Sequence, residues 1–256
     1  VGFINTGVAL ASQRFYQEAK IPVMNNVATG TIVTKQFTGD NYIFRNAARD
    51  EIQAPMIVKE AIEKRGFKKV AILADSTNYG QLGREDLEKA LKAKGITPVA
   101  IEKFNIKDVD MSMANFIDTA GKNGEGARMP QTFIQEANTK KRKAFIDSYL
   151  KEFKPKNSRI DSPVSAAQGY DSVYLLAAAI KQAGSTDGVK IREALENLNE
   201  KVEGVVTTYD KPFSKNDHEA ITDNIPVMGE VKKGRVVYAY QEDADRGSDI
   251  RVKKKK

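Results

Sequence analysis

The stretch "FKKVAILADSTNYGQLGREDLEKALKAKGITPVAIEKF", residues 67–104, decides the fold class. Its "KKVAILAD", residues 68–75, contains the apolar run Val70 to Ala74 and reads as a buried-type strand. Ser76 to Gly80 is a loop of small and polar residues. A helix then reaches Lys94 and is closed by Gly95, with Leu87, Ala90 and Leu91 on one face. Val99 to Phe104 is the next strand. A strand, a helix and a second strand in this order imply parallel pairing through a right-handed crossover.

The same pattern precedes it. Val1 to Ile4 reads as a short strand, residues 8–20 as a helix with Thr6 as its cap, and Ile21 to Met24 as a strand. Val8, Ala11, Phe15 and Ala19 share one face of that helix. Each strand is followed by an uncharged loop of small residues: Asn5-Thr6-Gly7, then Asn25 to Gly30. Parallel sheets bind ligands at the carboxyl ends of their strands. Hydroxyls and free N–H groups at a helix start hold anions such as carboxylates. The same residues also serve as ordinary caps and turns, and spacing leaves both readings open. Tyr42-Ile43-Phe44 is a further strand, and Asp50 with Gln53 resembles a capping box opening a helix to Arg65, with Pro55 an awkward member.

Downstream, residues 140–153, 165–183 and 189–199 read as helices, the last two separated by a turn from Gly184 to Gly188. Ala127 to Phe133 is a strand, and "IPVMGEVKKGRVVYAYQ" closes as an antiparallel hairpin through Lys232-Lys233-Gly234.

Composition narrows the chemistry. The chain has 256 residues, 41% apolar, which supports a packed core in one large or two modest domains. Its longest apolar run, Val173 to Ile180, is too short to span a bilayer. With no cysteine and one histidine, disulfides, thiolate nucleophiles and multi-histidine metal sites are excluded. The net charge of +7 is concentrated in Lys140 to Lys143 and Lys253 to Lys256, read as a solvated helix face and a frayed tail. No basic stripe with interleaved aromatics speaks for nucleic acid. Val1 to Ile4 does not resemble a signal peptide, and the chain opens as a mature or partial sequence.

Other candidates carry little chemistry. "GKNGEG", with Gly121, Gly124 and Gly126, lacks the spacing of a dinucleotide fingerprint and reads as a loop before a strand. His218, in "KNDHEA", reads as a surface residue. Ser76 has no neighbouring base. Asp171 reads as opening a helix, with a possible second use as counter-charge to a ligand amine.

Several segments, in order, resemble one family. "VGFINTGVALASQRFYQEAKIPVMNNVATG" and "YIFRNAARDEIQAPMIVKEAIEKRGFKKVAILADSTNYGQLG" resemble the branched-chain-amino-acid type of periplasmic solute-binding protein of ABC transporters. The second carries "FR….D..Q" (Phe44, Arg45, Asp50, Gln53) and "YG" (Tyr79-Gly80). "RIDSPVSAAQGYDSVYLLAAAIKQAG", "GVVTTYDKPFSKNDHEAI" and "VMGEVKKGRVVYAY" continue the resemblance to the carboxyl end. It implies the type I periplasmic-binding-protein fold: two α/β lobes of parallel sheets flanked by helices, joined by three crossovers. Lobe one takes residues 1–66 and 134–225, lobe two 67–133 and 226–256.

The resemblance implies that the ligand's carboxylate and amino groups are held by Asn5, Thr6 and Gly7 and by Val27, Ala28 and Thr29, with Tyr79 closing from lobe two. It also implies no cofactor, no metal and no catalysis. The expected partners are a small amino acid or related carboxylate and a membrane ABC permease, with the protein a periplasmic monomer. Two departures stand out. The family's first strands are absent ahead of Val1. Lobe two is incomplete near 111–113, where the sequence passes from one family segment to a much later one at Met111 to Met113. The segment missing there carries the family's lobe-two acidic and aromatic contacts, so ligand identity and that side of the site stay open. A cytosolic ligand-sensing regulator of the same fold, of the amidase-operon type, is the alternative. An α/β enzyme would need a base or nucleophile beside the loops, and the sequence offers none.

Overall fold

A computed structural model describes residues 1–105, 113–246 and 252–254. Met111 and Ser112, at the expected junction, lie outside the described residues. The fold is α/β. In chain order the elements are α1 (Thr6–Glu18), β1 (Val23–Asn25), β2 (Ile43–Arg45), α2 (Asp50–Val58), β3 (Ala71–Asp75), α3 (Asn78–Lys92), β4 (Ala100–Phe104), α4 (Met113–Ala120) and β5 (Arg128–Gln131). There follow α5 (Lys140–Phe153), α6 (Pro163–Ala183), α7 (Gly188–Glu196), β6 (Val202–Glu203), β7 (Thr208–Tyr209), β8 (Val227–Lys232), β9 (Arg235–Tyr238) and α8 (Gln241–Asp245).

The parallel pairing predicted for residues 68–104 is present, and a second parallel pair, which the pattern does not predict, joins the first two strands. β1 pairs with β2, Val23 opposite Ile43 and Asn25 opposite Arg45, and β3 pairs with β4 from Ala71 opposite Ala100 to Asp75 opposite Phe104. β5, β8 and β9 form an antiparallel sheet, and β6 pairs with β7. The β8–β9 hairpin turns through Lys233 (φ 50) and Gly234 (φ 74). Two successive positive φ values match the right-handed twist of the strands, as a primed turn does.

Several expectations are corrected. The strand expected at Val1 to Ile4 is reduced to one parallel bridge between Gly2 and Asn25. Helix α1 is capped by Asn5, whose side chain accepts from the N–H groups of Gly7 and Val8, and not by Thr6. The face predicted from Val8 and Phe15 is exposed, and the buried residues are Thr6, Ala9 and Gln13. The reason is polar: the Gln13 amide donates to Val33 O at 2.8 Å and to Gln36, which docks the helix by hydrogen bonds. The capping box does not form, because the Asp50 N–H goes to Thr29 O and the Gln53 amide to Ala48 O. Beyond α2, which contains Pro55, the helix widens into a π-helix over Lys59–Lys64. Strand β3 is covered on one face only: Ile72 packs on Val58 and Leu91, while Leu73 is 67% exposed. Asp171 lies in the interior of α6, not at its start.

The largest core cluster joins Met24 and Phe44 of the first sheet to Phe133, Leu175, Leu195 and Ile221. A smaller one, with Ala9, Val23, Ala28 and Ile43, sits directly beneath the two small-residue loops. Those loops therefore rest on packed side chains at the strand ends.

Candidate ligand site

The first loop is knitted to the second. Thr6 is fully buried, and its hydroxyl accepts from the Gly30 N–H at 3.2 Å. A Cβ at Gly30 would stand 2.4 Å from Thr6 Cγ2, so only glycine permits this approach. The Ala28 N–H donates to Phe3 O at 2.9 Å and to the Asn25 side chain, which also accepts from Val27 N–H at 3.4 Å.

Beneath the second loop lies a charge that sequence reading did not single out as structural. Arg45, fully buried in β2, donates from Nη1 to Ala28 O at 3.2 Å and to Gly30 O at 2.8 Å. Its other nitrogens meet Glu219: Nε to Oε2 at 2.9 Å and Nη2 to Oε1 at 2.5 Å. The Thr34 hydroxyl adds a bond to the same carboxylate. A forked guanidinium is suited to hold a carboxylate and two carbonyls at once.

Thr29 sits between the two carbonyls that Arg45 holds. Its own carbonyl accepts from the Asp50 N–H at 2.9 Å. Thr29 Oγ1 and Asp50 Oδ2 are both buried; neither makes a hydrogen bond of normal geometry, although the Thr29 hydroxyl lies close to the Asp50 carboxyl and the Tyr79 phenol. Burial raises the Asp50 pKa to about 6; the nearby Thr29 hydroxyl and Arg45 pull it down, and Asp86 pushes it up. Tyr79, at the start of α3, is 47% exposed as a residue, and its phenol pKa is pushed up to about 12, first by desolvation of the hydroxyl and then by the Asp50 and Asp75 charges. Thr77 caps this helix, its hydroxyl accepting from the Tyr79 N–H at 3.2 Å. A Cβ at Gly80 would lie 2.2 Å from Asp75 O, which is why the chain turns so tightly from β3 into α3. The Asn78 side chain lies beside Gly7, 3.2 Å from where a Cβ would stand.

The structure thus gathers Asn5, Thr6, Gly7, Val27, Ala28 and Thr29 into one polar patch, with Tyr79 across from Thr29. The acceptor side of the Thr6 hydroxyl is occupied, and its proton is left to donate. Sequence reading passed over Asp50 as a site residue, treating it as a cap and a family marker. The unpartnered acceptor beside Thr29 is a tertiary fact, and no local pattern announces it. No group of three or more His, Cys, Asp or Glu side chains suited to a metal occurs among the described residues.

Other candidates resolve differently from their sequence reading. His218 is buried, not superficial: its ring stacks on Phe44 at 3.9 Å, Nδ1 meets Ile43 O and Nε2 meets Glu196. Asp171 is fully buried and accepts from the N–H groups of Val205 and Val206 and from the Tyr209 hydroxyl, so it anchors the 203–209 loop instead of facing a ligand amine. Arg142 is buried and donates to Val205 O, unlike its exposed neighbours Lys140 and Lys143. Lys253 is docked on Asp217 at 2.9 Å, not frayed.

A family model described as periplasmic binding protein matches residues 1–117 and 112–235 of the chain. The leucine-, isoleucine-, valine-, threonine-, and alanine-binding protein of Pseudomonas aeruginosa is 24% identical over 243 residues, covering 76% of this chain and 62% of that protein. The Leu/Ile/Val-binding protein homolog 3 of Brucella melitensis biotype 1 is 30% identical over 112 residues, 44% of this chain and 30% of that protein. The chain spans less than two thirds of the length of either. Among solved structures, a leucine-binding protein from Thermotoga maritima superposes with a TM-score of 0.76 at 18% identity, covering 93% of this chain and 78% of that one. An ABC-transporter solute-binding protein from R. palustris, in complex with benzoate, gives 0.75 at 19% identity, covering 93% and 75%. At these identities the likeness establishes a shared fold, and the family match extends it to descent: the chain belongs to the periplasmic binding protein family.

Proposed function

We propose that the protein is an extracytoplasmic solute-binding protein. It captures a small amino acid or related carboxylate between two lobes and hands it unchanged to a membrane ABC permease. Lobe one comprises residues 1–66 and 134–225, lobe two 67–133 and 226–256. The protein works as a monomer in the periplasm. Asn5, Thr6 and Gly7 at the start of α1 face the ligand carboxylate, Val27, Ala28 and Thr29 complete the clasp, and Tyr79 closes over it.

One observation carries this reading. Thr29 Oγ1 and Asp50 Oδ2 are buried close to one another at the junction of the two loops, and neither makes a hydrogen bond of normal geometry. Buried polar atoms are normally satisfied, and one left open beside a helix start speaks for a ligand that completes it. Names of relatives support the ligand class, since they bind branched-chain amino acids or benzoate.

Titration calorimetry with amino acids and aromatic carboxylates tests the proposal, followed by chromatography of the recovered ligand. Thr29→Val keeps the branched shape and removes the hydroxyl. A hydrogen bond to a charged group is worth roughly 1.5–3 kcal/mol, so affinity should fall by about one to two decades. Unchanged affinity with the fold intact would place the site elsewhere, and turnover of the ligand would make the protein an enzyme.

A further inference from the structure

A cavity of about 160 Å³ lies away from the loops, between the end of β5, strand β9 and the segment leading into α6. None of the seven loop and Tyr79 residues lines it. About half of its lining is apolar, with Ile117, Phe133, Ile160, Pro163, Val236 and Val237 forming that side, and the rest is polar or charged. A void of this size with aliphatic and aromatic walls accepts a benzene-sized molecule.

Its polar groups are almost all engaged. Gln135 donates from Nε2 to Ser158 O at 2.8 Å and accepts from the Ile160 N–H at 2.8 Å. Arg159 holds Asp118 through both terminal nitrogens, at 2.9 and 2.8 Å. Arg235 donates to Asn157 O at 2.6 Å. The lining group with a buried open atom is Gln131, 4% exposed, whose Oε1 has no partner. Its Nε2 donates to Pro130 O at 2.8 Å, which fixes the amide orientation, because a flip would set two acceptors face to face.

We propose that this cavity is a second binding site, for a small neutral aromatic alcohol of the phenol class whose hydroxyl donates to Gln131 Oε1. Three features select that chemistry. A buried open acceptor calls for a donor and repels a carboxylate. With Arg159 committed to Asp118, Glu136 and Asp161 outnumber Arg235 at the lining, which disfavours an anion. A water would need two to four polar partners, and at the buried end of the cavity Gln131 Oε1 is the open one. The proposal does not depend on what the loops bind.

The test is titration of the intact chain with 4-fluorophenol and fluorobenzene, followed by fluorine NMR. Both should saturate, with the phenol binding about three- to tenfold tighter, the contribution of one neutral hydrogen bond. Gln131→Met should erase that ratio while fluorobenzene still binds, and Val236→Phe, which fills the void, should abolish both. Should Gln131→Met fail to fold, the ratio in the unaltered chain still decides. Thr29→Val should leave 4-fluorophenol binding unchanged, and excess 4-fluorobenzoate should not displace it. Absence of saturation, equal affinity for the two probes, displacement by the benzoate or loss in Thr29→Val would each overturn the assignment.

Discussion

Asp50 is held where its charge is costly, and its pKa of about 6 expresses that cost. In the unfolded chain the group titrates near 3.8. Between about pH 4 and 6 the native protein therefore binds more protons than the unfolded one, so stability falls as pH rises through that window. Asp171, also raised to about 6 by burial, acts in the same direction, and a substitution at Asp50 isolates its share. Asp50→Asn should be more stable than the parent at pH 7.5 by about 1–3 kcal/mol, the gap closing by pH 4. Urea unfolding at the two pH values measures it; a variant destabilised equally at both would mean that the carboxylate is paired, not stranded. His218 teaches the complementary lesson. Its neighbours Lys215, Asn216 and Asp217 look solvated, yet burial lowers its pKa and its partners lie in β2 and α7. Burial of a lone polar residue depends on distant segments, which is why reading its immediate neighbours fails.

At the level of elements, the strand and helix order was legible because it rests on local periodicity and turn chemistry. The parallel β3–β4 pair, the closing hairpin and the Gly184 helix end (φ 58) all carry such signals. Helix α1 was located but its buried face was misread, since the hydrogen bonds of Gln13 override its apolar stripe. The loop positions were legible; what braces them was not. Arg45 and Glu219 are 174 residues apart, and nothing around either announces the pair. Their removal has a predictable cost. Glu219→Gln leaves a buried guanidinium without its counter-charge, and breaking such a pair costs about 3–5 kcal/mol. The same change frees the hold of Arg45 on the Ala28 and Gly30 carbonyls. Thermal unfolding should show the loss of stability. At a temperature where the variant stays folded, amide hydrogen exchange should rise at Ala28 and Gly30 before it rises in α6. Exchange that rises uniformly would show that the pair supports the fold without bracing the loop.

On the scale of the molecule, one ion cluster gathers the segments that the proposed two-lobe division sends across between lobes. Glu60 precedes the first crossover, Arg128 precedes the second, and Glu230 follows the third. Arg128 pairs with Glu60 and donates from Nε to Glu230 at 2.8 Å, while the Tyr240 hydroxyl donates to Glu60 at 2.6 Å. Lys64 stands 3.5 Å from the centre of the Tyr240 ring. Burial alone would raise the Glu60 pKa; the Tyr240 hydroxyl and Arg128 outweigh it and hold the carboxyl below its ordinary value. A depressed carboxylate contributes stability above its unfolded pKa, near 4.5, and that contribution is lost as pH falls through the native value. Arg128→Met keeps the length of the side chain and removes the charge that both glutamates share. Since Arg128 keeps about a fifth of its side chain in solvent, the loss at pH 7 should be about 1–3 kcal/mol, below that of a fully buried pair. The difference from the parent should shrink as pH falls below 4.5 and through the lowered native value of Glu60, whose protonated form no longer needs the guanidinium. Unfolding curves from pH 3 to 8 for both proteins give the answer. A difference that stays constant across that range would mean that Arg128 serves through the packing of its stem, and that the crossovers are held together by apolar contact alone.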